Sequence, residues 1–223
     1  MSDYYAYKLS AKRLKQAYEI ATPRVKQYLD AEVNHVLERI RPGDLVLELG
    51  CGYGRVLPKL TKKAGLVIGI DVSTPSLEFA LENIRRIANC SVFQMDAVKL
   101  GFRDPSFDCV VCIQNGISAF HVDQRRLIDE SIRVTKPNGT VLLSSYSDKF
   151  WNPRLEWFEL QSEAGLLGEI DYAKTRDGVI TCTDGFTATT VSDEDFQALT
   201  AHLNLDIRTV EVDESSLFCE IFL

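Results

Sequence analysis

The 223-residue sequence predicts a doubly wound α/β fold with a mainly parallel sheet of about seven strands and an antiparallel last strand. Three observations support this prediction. Short apolar strands alternate with amphipathic helices from residue 23 to residue 145, which is typical of parallel βαβ units with right-handed crossovers. A glycine-rich turn follows the first of these strands. The chain ends in two strand-like runs joined by a short turn, which indicates an antiparallel pair that closes the sheet.

The elements of the alternating region follow from hydrophobic spacing and from capping residues. Thr22 is a suitable N-cap and Pro23 a suitable first-turn residue, so a helix is expected to begin there. Thr74-Pro75 marks another helix start. The expected order is a helix from 23 to about 40, a strand ending at Leu49, a helix over about 55–64, a strand over 66–70, a helix over about 74–87, strands at about 91–95 and 107–113, a helix at about 123–134 and a strand over 140–144.

The remainder of the chain departs from this alternation. Residues 146–167 are rich in aromatic side chains and contain both tryptophans. Ser192 and Asp195 have the spacing of a capping box, which predicts a helix start. The expected elements are short strands near 168–175, 178–183 and 185–191, separated by Asp-Gly pairs that favour hairpins, then a helix over about 193–203 and strands over about 205–212 and 216–223.

Composition argues against several classes of protein. The net charge of −7 argues against a nucleic-acid partner, because phosphate binding needs clustered basic surface. No apolar run reaches the length of a membrane span, and the N-terminus lacks the apolar core of a signal peptide. We therefore expect a cytoplasmic protein, either a monomer or a homodimer.

The six cysteines predict neither a metal centre nor a redox site. Cys109 and Cys112 form a CxxC pair, but both lie in an apolar run that is predicted to be a strand. Residues i and i+3 of a strand point to opposite faces, so the two thiols cannot readily share a metal ion or form a disulfide. We expect buried structural cysteines and no metal.

The glycine-rich turn predicts a nucleoside-bearing cofactor. Gly50, Gly52 and Gly54 alternate between a strand and a helix, where residues without Cβ allow a ligand to approach the backbone. Asp71 follows 17 residues after Gly54, at the end of the next strand, where a carboxylate can accept hydrogen bonds from a ribose diol.

Taken in order, the segments resemble the class I S-adenosylmethionine-dependent methyltransferases, and most strongly the small-molecule group of the ubiquinone/menaquinone-biosynthesis type. The resemblance covers roughly residues 40–147. It rests on four blocks, LELGCGYGR at 47–55, GIDVS at 69–73, QMDAVKLGFRDPSFDCVV at 94–111 and RVTKPNGTVLLSSYS at 133–147.

The resemblance implies a Rossmann-like fold and a cofactor site. Gly50, Gly52 and Gly54, with Cys51 between them, would lie under the methionine part of S-adenosylmethionine. The other implied cofactor residues are Asp71 for the ribose, Val72 for the adenine, Asp96 with Ala97 for the adenine amino group and Gln114 near the sulfonium. Glu48 either accepts from buried backbone groups or contacts the cofactor's ammonium.

A dinucleotide is the main rival cofactor, and the loop argues against it. A nicotinamide dinucleotide fingerprint has a third glycine where this chain has Arg55, because the helix must approach a pyrophosphate there. The spacing therefore favours methyl transfer over an NAD(P)-binding oxidoreductase. Two alternatives remain. One is an RNA or protein methyltransferase of the same fold, and the other is a non-catalytic methyltransferase-like binding protein.

The acceptor side of the site is less clearly marked. His121, in the loop after the fourth strand, is a candidate general base because a histidine titrates near neutrality, although the sequence slightly favours a plain surface histidine. Tyr7, Asn115, Tyr146 and Trp151 are candidate substrate residues. For the aromatic side chains after residue 145, the sequence favours core packing over an acceptor pocket.

Together these features predict one methyltransferase domain that transfers a methyl group to a small-molecule acceptor by in-line displacement and leaves S-adenosylhomocysteine. Its expected parts are an N-terminal helical cap at 1–40, a cofactor-binding core at 41–146, a lid inserted after the fifth strand at 147–191 with a small antiparallel sheet, and a closing helix and strand pair at 192–223.

Overall fold

The structure of the protein is a computed structural model that describes residues 8–223. The helices, in chain order, are α1 (Ala11–Glu19), α2 (Pro23–Arg39), α3 (Leu57–Leu60), α4 (Thr74–Ile84), α5 (Gly116–Ala119), α6 (Gln124–Val134), α7 (Trp151–Glu163) and α8 (Asp193–Thr200). The strands are β1 (Leu45–Leu49), β2 (Leu66–Asp71), β3 (Cys90–Gln94), β4 (Phe107–Cys112), β5 (Thr135–Tyr146), β6 (Ile180–Thr181), β7 (Thr187–Ala188), β8 (Asp206–Val212) and β9 (Ser216–Phe222).

Seven of these strands form one sheet in the order β3-β2-β1-β4-β5-β9-β8. The first five pair in parallel, and β9 pairs antiparallel to both β5 and β8. The predicted doubly wound sheet with an antiparallel last strand is therefore confirmed. β6 and β7 form a separate two-stranded sheet. The carboxyl ends of the parallel strands lie along one edge, where such folds bind ligands.

The central strands are buried on both faces because successive side chains alternate between two hydrophobic clusters. On one face Leu47 packs in a cluster with residues of α6 and α8, whereas Val46 packs on the other face with residues of α2, α3 and α4. A third cluster joins α1 and α2 to α7 and the β6–β7 hairpin, and its members include Tyr28 and Trp157.

Three local predictions differ from the structure. The helix expected over 55–64 forms only at Leu57–Leu60, because Gly54 has a positive φ of 77° and the glycine loop continues beyond it. The stretch 168–175 makes only an isolated bridge at Ile170, since Asp171 accepts hydrogen bonds from the backbone of the turn that follows. The sequence predicts no helix in the aromatic-rich stretch 146–167, but the structure has the long helix α7 there.

Five of the six cysteines are buried as expected, including Cys109 and Cys112 in β4, whereas Cys90 is half-buried. All six thiols are free. The described residues contain no cluster of side chains suited to a metal ion. Within the same residues, no helix combines the length and the apolar character that crossing a bilayer requires.

Gly69 on β2 provides the space into which Cys51 of the glycine loop packs. A Cβ at Gly69 would lie 2.9 Å from both Cβ and Sγ of Cys51. The backbone N–H of Cys51 also donates to the carbonyl of Ile70 at 2.9 Å. The loop is therefore seated directly on the second strand.

Replacing Gly69 tests this contact. We expect Gly69→Ala to lower the free energy of unfolding by about 1–3 kcal/mol, because the added methyl group overpacks a rigid site. Gly101→Ala is the control, since its Cβ would meet nothing closer than Met95 Cε at 3.6 Å. Denaturant unfolding of both variants measures the difference, and equal stabilities would contradict the packing argument.

Candidate cofactor and acceptor site

A cavity of about 200 Å³ lies at the carboxyl ends of the parallel strands. Its wall is built from the loops after β1 to β4 and from α1 and α7. The lining residues are Leu9, Leu14, Ala17, Tyr18, Gly50, Gly52, Ile70, Asp71, Val72, Ser76, Met95, Asp96, Ala97, Ile113, Gln114, Gly116, Ala119, Phe120, Val122, Tyr146, Trp157, Phe158 and Gln161. Eight of the residues singled out from the sequence are among them.

The glycine loop adopts a backbone that side chains would oppose. Gly50, Gly52 and Gly54 have φ values of 69°, 53° and 77°. A Cβ at Gly50 would lie 2.3 Å from the ring of Phe120, and one at Gly54 would lie 3.1 Å from Ala80. Both the left-handed conformation and the close contacts therefore require glycine. Gly54 and Cys51 support the loop from outside the cavity wall.

Asp71 connects the glycine loop to the second strand. Its Oδ2 accepts from the backbone N–H of Gly52 and its Oδ1 accepts from that of Ser73, both at 2.8 Å. Burial raises the pKa of Asp71, and these hydrogen bonds oppose the shift. The N-cap of α4 is Ser73, so Asp71 does not have that role. Each carboxylate oxygen can accept a second hydrogen bond, which leaves Asp71 able to bind a diol.

Val72, Asp96 and Ala97 form the outer part of the wall. The side chain of Val72 is 54% exposed although it is apolar. Asp96 accepts from the backbone N–H of Val98 at 3.0 Å and is otherwise open to solvent, and Ala97 is buried beside it. An exposed apolar side chain facing a cavity beside a free carboxylate suits a flat heterocycle with an amino group.

Glu48 and Arg55 lie behind the glycine loop and carry buried polar atoms that lack partners. Oε2 of Glu48 and both Nε and Nη2 of Arg55 have no hydrogen-bond partner among the described residues. Burial raises the pKa of Glu48 to about 8, Arg55 lowers it and Asp71 raises it. A buried polar group without a partner costs about 1–3 kcal/mol, so this region favours a ligand with charged groups. Glu48 itself does not line the cavity.

Gln114 and Asn115 occupy a strained turn after β4. Both have left-handed backbones, with φ of 57° and 60°. The backbone N–H of Gln114 donates to Oε2 of Glu32 at 2.8 Å, and its side-chain Oε1 accepts from the hydroxyl of Tyr18 at 2.9 Å. Gln114 therefore lies at the cavity, held from two sides.

Asn115 faces away from the cavity. Its Nδ2 donates to the carbonyl of Thr189 at 2.9 Å, and its Oδ1 accepts from the hydroxyl of Ser145 at 3.0 Å. These contacts tie the turn to β5 and to the segment after β7, so the arrangement gives Asn115 a supporting position.

Glu32 is a site residue that sequence reasoning missed. It is fully buried on α2, its Oε1 accepts from Ser216 at 2.9 Å, and burial raises its pKa to about 7. Its one sequence signal is its place on the apolar face of the helix, four residues after Tyr28 and four before Val36. A carboxylate at such a position needs hydrogen-bond partners. Here one partner is the backbone N–H of Gln114, so Glu32 holds the turn after β4 in place.

Helix α1 covers the cavity and is held against α7. Trp157 Nε1 donates to the carbonyl of Ala17 at 2.8 Å, and Arg13 Nη2 donates to the carbonyls of Gly165 and Leu166 at 2.9 and 3.1 Å. The guanidinium of Arg55 lies 4.6 Å from the centre of the Tyr18 ring. Tyr18 thus joins the glycine loop to Gln114 across the site.

The other candidate acceptor-side residues lie in different places in the structure. Tyr146 lines the cavity, whereas Trp151 lines a second cavity that also contains Arg154 and Asp177. His121 does not line the cavity, although its neighbours Phe120 and Val122 do. Tyr7 lies outside the described residues.

Comparisons with known proteins agree with this geometry. The family model for a methyltransferase domain matches residues 46–139. "Probable tRNA methyltransferase 9B" of Bos taurus is 32% identical over 139 residues, which cover 61% of this chain and 27% of the bovine protein. The "Ubiquinone/menaquinone biosynthesis C-methyltransferase UbiE" of Haemophilus ducreyi is 29% identical over 129 residues, which cover 55% of this chain and 49% of that enzyme. The chain thus spans between about a quarter and a half of the length of these relatives.

A solved structure shares the fold. The crystal structure of a SAM-dependent methyltransferase from Methanosarcina mazei superposes with a TM-score of 0.62 at 20% identity, covering 84% of this chain and 96% of that one. The domain match, the relatives and the sheet topology show that the chain contains a methyltransferase domain at residues 46–139 and is similar to the class I S-adenosylmethionine-dependent methyltransferases. The cofactor of this class is S-adenosylmethionine, a cation at sulfur.

The described residues fit this cofactor. Among the described residues, the only charged side chains in the cavity wall are the carboxylates Asp71 and Asp96, which complement a cation and could accept from ribose and amino groups. Glu48 and Arg55 do not line the cavity, but their unpartnered buried atoms would complement the two charges of an amino-acid group. The loop also has Arg55 in place of the third glycine that a pyrophosphate-binding loop needs, and this cofactor has no phosphate.

Removing one carboxylate tests the ribose role of Asp71. We expect Asp71→Asn to weaken binding of S-adenosylhomocysteine about ten- to a hundredfold, because one acceptor oxygen becomes a donor that opposes the N–H of Gly52. Isothermal titration calorimetry measures the affinity. Asp30→Asn on the exposed side of α2 is the control, and equal affinities of both variants would contradict the assignment.

The raised pKa of Glu48 predicts a pH dependence of cofactor binding. Below about pH 8 the free protein holds Glu48 protonated, and a bound ammonium group favours the ionised form. Binding of S-adenosylhomocysteine therefore releases a proton, and its affinity rises from about pH 6 to pH 8 by up to about tenfold per pH unit.

Calorimetry in buffers of different ionisation enthalpy counts the released protons. Glu48→Gln keeps the shape of the side chain and should abolish most of the proton release. Since Glu32 and Asp71 also have raised pKa values, an unchanged proton count in Glu48→Gln would assign the effect to them and refute the Glu48 contact.

A substitution that keeps the backbone tests the general-base hypothesis for His121. This residue has a positive φ of 51°, so asparagine, which tolerates the left-handed region, is a better replacement than alanine. Since the ring lies outside the cavity wall, we expect His121→Asn to change kcat less than about twofold, whereas loss of a base costs about 10²–10⁴-fold. Single-turnover kinetics with an acceptor that the unaltered protein methylates distinguish the two.

Proposed function

We propose that the protein transfers the methyl group of S-adenosylmethionine to a small-molecule acceptor. The observation that carries the proposal is the covered cavity, in which the carboxylate-bearing wall of the strand ends faces an apolar wall from α1 and α7. The bound cofactor supplies an electrophilic methyl carbon, and the acceptor's lone pair forms the new bond as the carbon–sulfur bond breaks. S-adenosylhomocysteine is the product.

The chain's own residues position the two reactants. The glycine loop would hold the methionine part of the cofactor and Asp71 its ribose. Asp96, Ala97 and Val72 would contact its adenine. The turn at Gln114 would lie near the sulfonium, and α1 with α7 would exclude water. In-line displacement depends mainly on such positioning, which can contribute about 7–11 kcal/mol to the barrier reduction.

The division of the chain follows the same logic. Residues 1–40 act as a helical cap, 41–146 as the cofactor-binding core, 147–191 as a lid and 192–223 as the closing helix and strand pair. The hydrogen bonds from Trp157 of α7 to α1 and from Arg13 of α1 to the residues just after α7 support a cap and lid that close together.

Methylation of tRNA is the second candidate, because the bovine relative is named a probable tRNA methyltransferase. Two observations favour a small molecule. The described part of the cavity wall contains no Lys, Arg or His, whereas RNA backbones are bound by basic side chains. Helix α1 also covers the site, so a nucleotide would have to be inserted beneath it.

Radiolabelled S-adenosylmethionine separates the candidates. The purified protein is incubated with bulk tRNA and, separately, with a low-molecular-weight metabolite fraction. We expect transfer of label to the small molecules and not to tRNA. Absence of S-adenosylhomocysteine binding by calorimetry would refute the methyltransferase proposal, and label in tRNA would refute the small-molecule acceptor.

A further inference from the structure

The part of the cavity wall beyond the cofactor residues, here called the acceptor lobe, is formed by α1, α7, Tyr146 and residues 114–122. It contains five aromatic side chains, Tyr18, Phe120, Tyr146, Trp157 and Phe158. The rings of Tyr18 and Trp157 lie 5.8 Å apart, and those of Trp157 and Phe158 lie 6.0 Å apart. Aromatic rings at these distances provide a continuous apolar surface.

The acceptor lobe contains no charged side chain among the described residues. Three of its side-chain polar groups donate hydrogen bonds within the protein. Trp157 Nε1 donates to Ala17, the Tyr18 hydroxyl donates to Gln114, and Gln161 Nε2 donates to the carbonyl of Trp157 at 3.3 Å. A charged acceptor entering this lobe would lose its hydration without gaining a counter-ion, which is costly.

A buried donor at the lobe lacks a partner within the described part of the chain. Gln114 Nε2 is buried and has no hydrogen-bond partner among the described residues, while its Oε1 is held by Tyr18. The left-handed turn and the contact from Glu32 to the backbone fix this amide in place. A ligand with a lone pair at that point would satisfy the donor, whereas a hydrocarbon would leave it unsatisfied.

We infer that the acceptor is an uncharged, mainly apolar molecule with an oxygen or nitrogen lone pair directed at Gln114 Nε2. Among the described residues, the wall offers the acceptor no histidine and no carboxylate other than Asp71 and Asp96, which lie among the cofactor residues. The attacking atom therefore needs a lone pair that reacts without a side-chain base. This inference rests on the proposed function.

Four probes of matched size test the inference by calorimetry with the protein saturated in S-adenosylhomocysteine. They are p-cresol, toluene, 4-methylbenzoate and 4-methylbenzylammonium. We expect p-cresol to bind at least about tenfold more tightly than 4-methylbenzoate and 4-methylbenzylammonium, because each of these two probes carries a charge into the lobe. We also expect p-cresol to bind at least about tenfold more tightly than toluene, since only p-cresol satisfies the amide.

The substitution Gln114→Met locates the effect. It keeps the length of the side chain and removes the donor, so the preference for p-cresol over toluene should fall to within about threefold. Gln197→Met on the exposed face of α8 is the matched control and should leave all four affinities unchanged. If Gln114→Met does not fold, the four affinities of the unaltered protein still decide the question.

The outcomes separate the two levels of the proposal. Binding of S-adenosylhomocysteine together with equal or tighter binding of a charged probe, or with no binding of p-cresol, overturns the uncharged acceptor and leaves the proposed function intact. Equal binding of p-cresol and toluene overturns the role of Gln114. Failure of S-adenosylhomocysteine itself to bind overturns the proposed function and this inference with it.

Discussion

The site depends on the pair of hydrogen bonds that Asp71 accepts from the backbone N–H groups of Gly52 and Ser73. They connect the loop after β1 to the end of β2 and to the start of α4, so three elements meet at one carboxylate. The loop can approach because Gly69 leaves space for Cys51 and because Gly50, Gly52 and Gly54 adopt left-handed backbones. With the loop in this place, the strand ends form a wall whose charged groups are carboxylates, which suits a sulfonium cofactor.

The opposite wall depends on long-range contacts to Gln114. Glu32 of α2 and Tyr18 of α1 hold its backbone and side chain, and Asn115 anchors the same turn to β5. The left-handed backbones of Gln114 and Asn115 cost free energy that these contacts offset. Arg13 and Trp157 then fasten the cap to α7, so the helices that cover the cavity also align the turn. The same hydrogen bonds therefore support both the cofactor site and the acceptor side of the cavity.

Sequence reasoning succeeded where a local pattern has one physical meaning. The alternation of strands and helices, Pro23 and Pro75 at helix starts, and the Ser192–Asp195 capping box are all present in the structure. It was less successful where partners are distant. The helix after Gly54 is a single turn, the stretch near Ile170 is mostly a turn, and α7 went unpredicted, because its residues pack on several sides and show no amphipathic spacing.

The sequence by itself determined the class of fold and the cofactor, because glycines and carboxylates at strand ends act through their own backbone and their immediate neighbours. It did not determine which side chains meet above the cofactor. Only the tertiary structure placed Glu32 and Tyr18 on Gln114, set Asn115 and His121 outside the cavity wall, and gathered five aromatic rings around an uncharged space. Those contacts join residues up to about 140 positions apart, as from Tyr18 to Trp157, and no local periodicity predicts them.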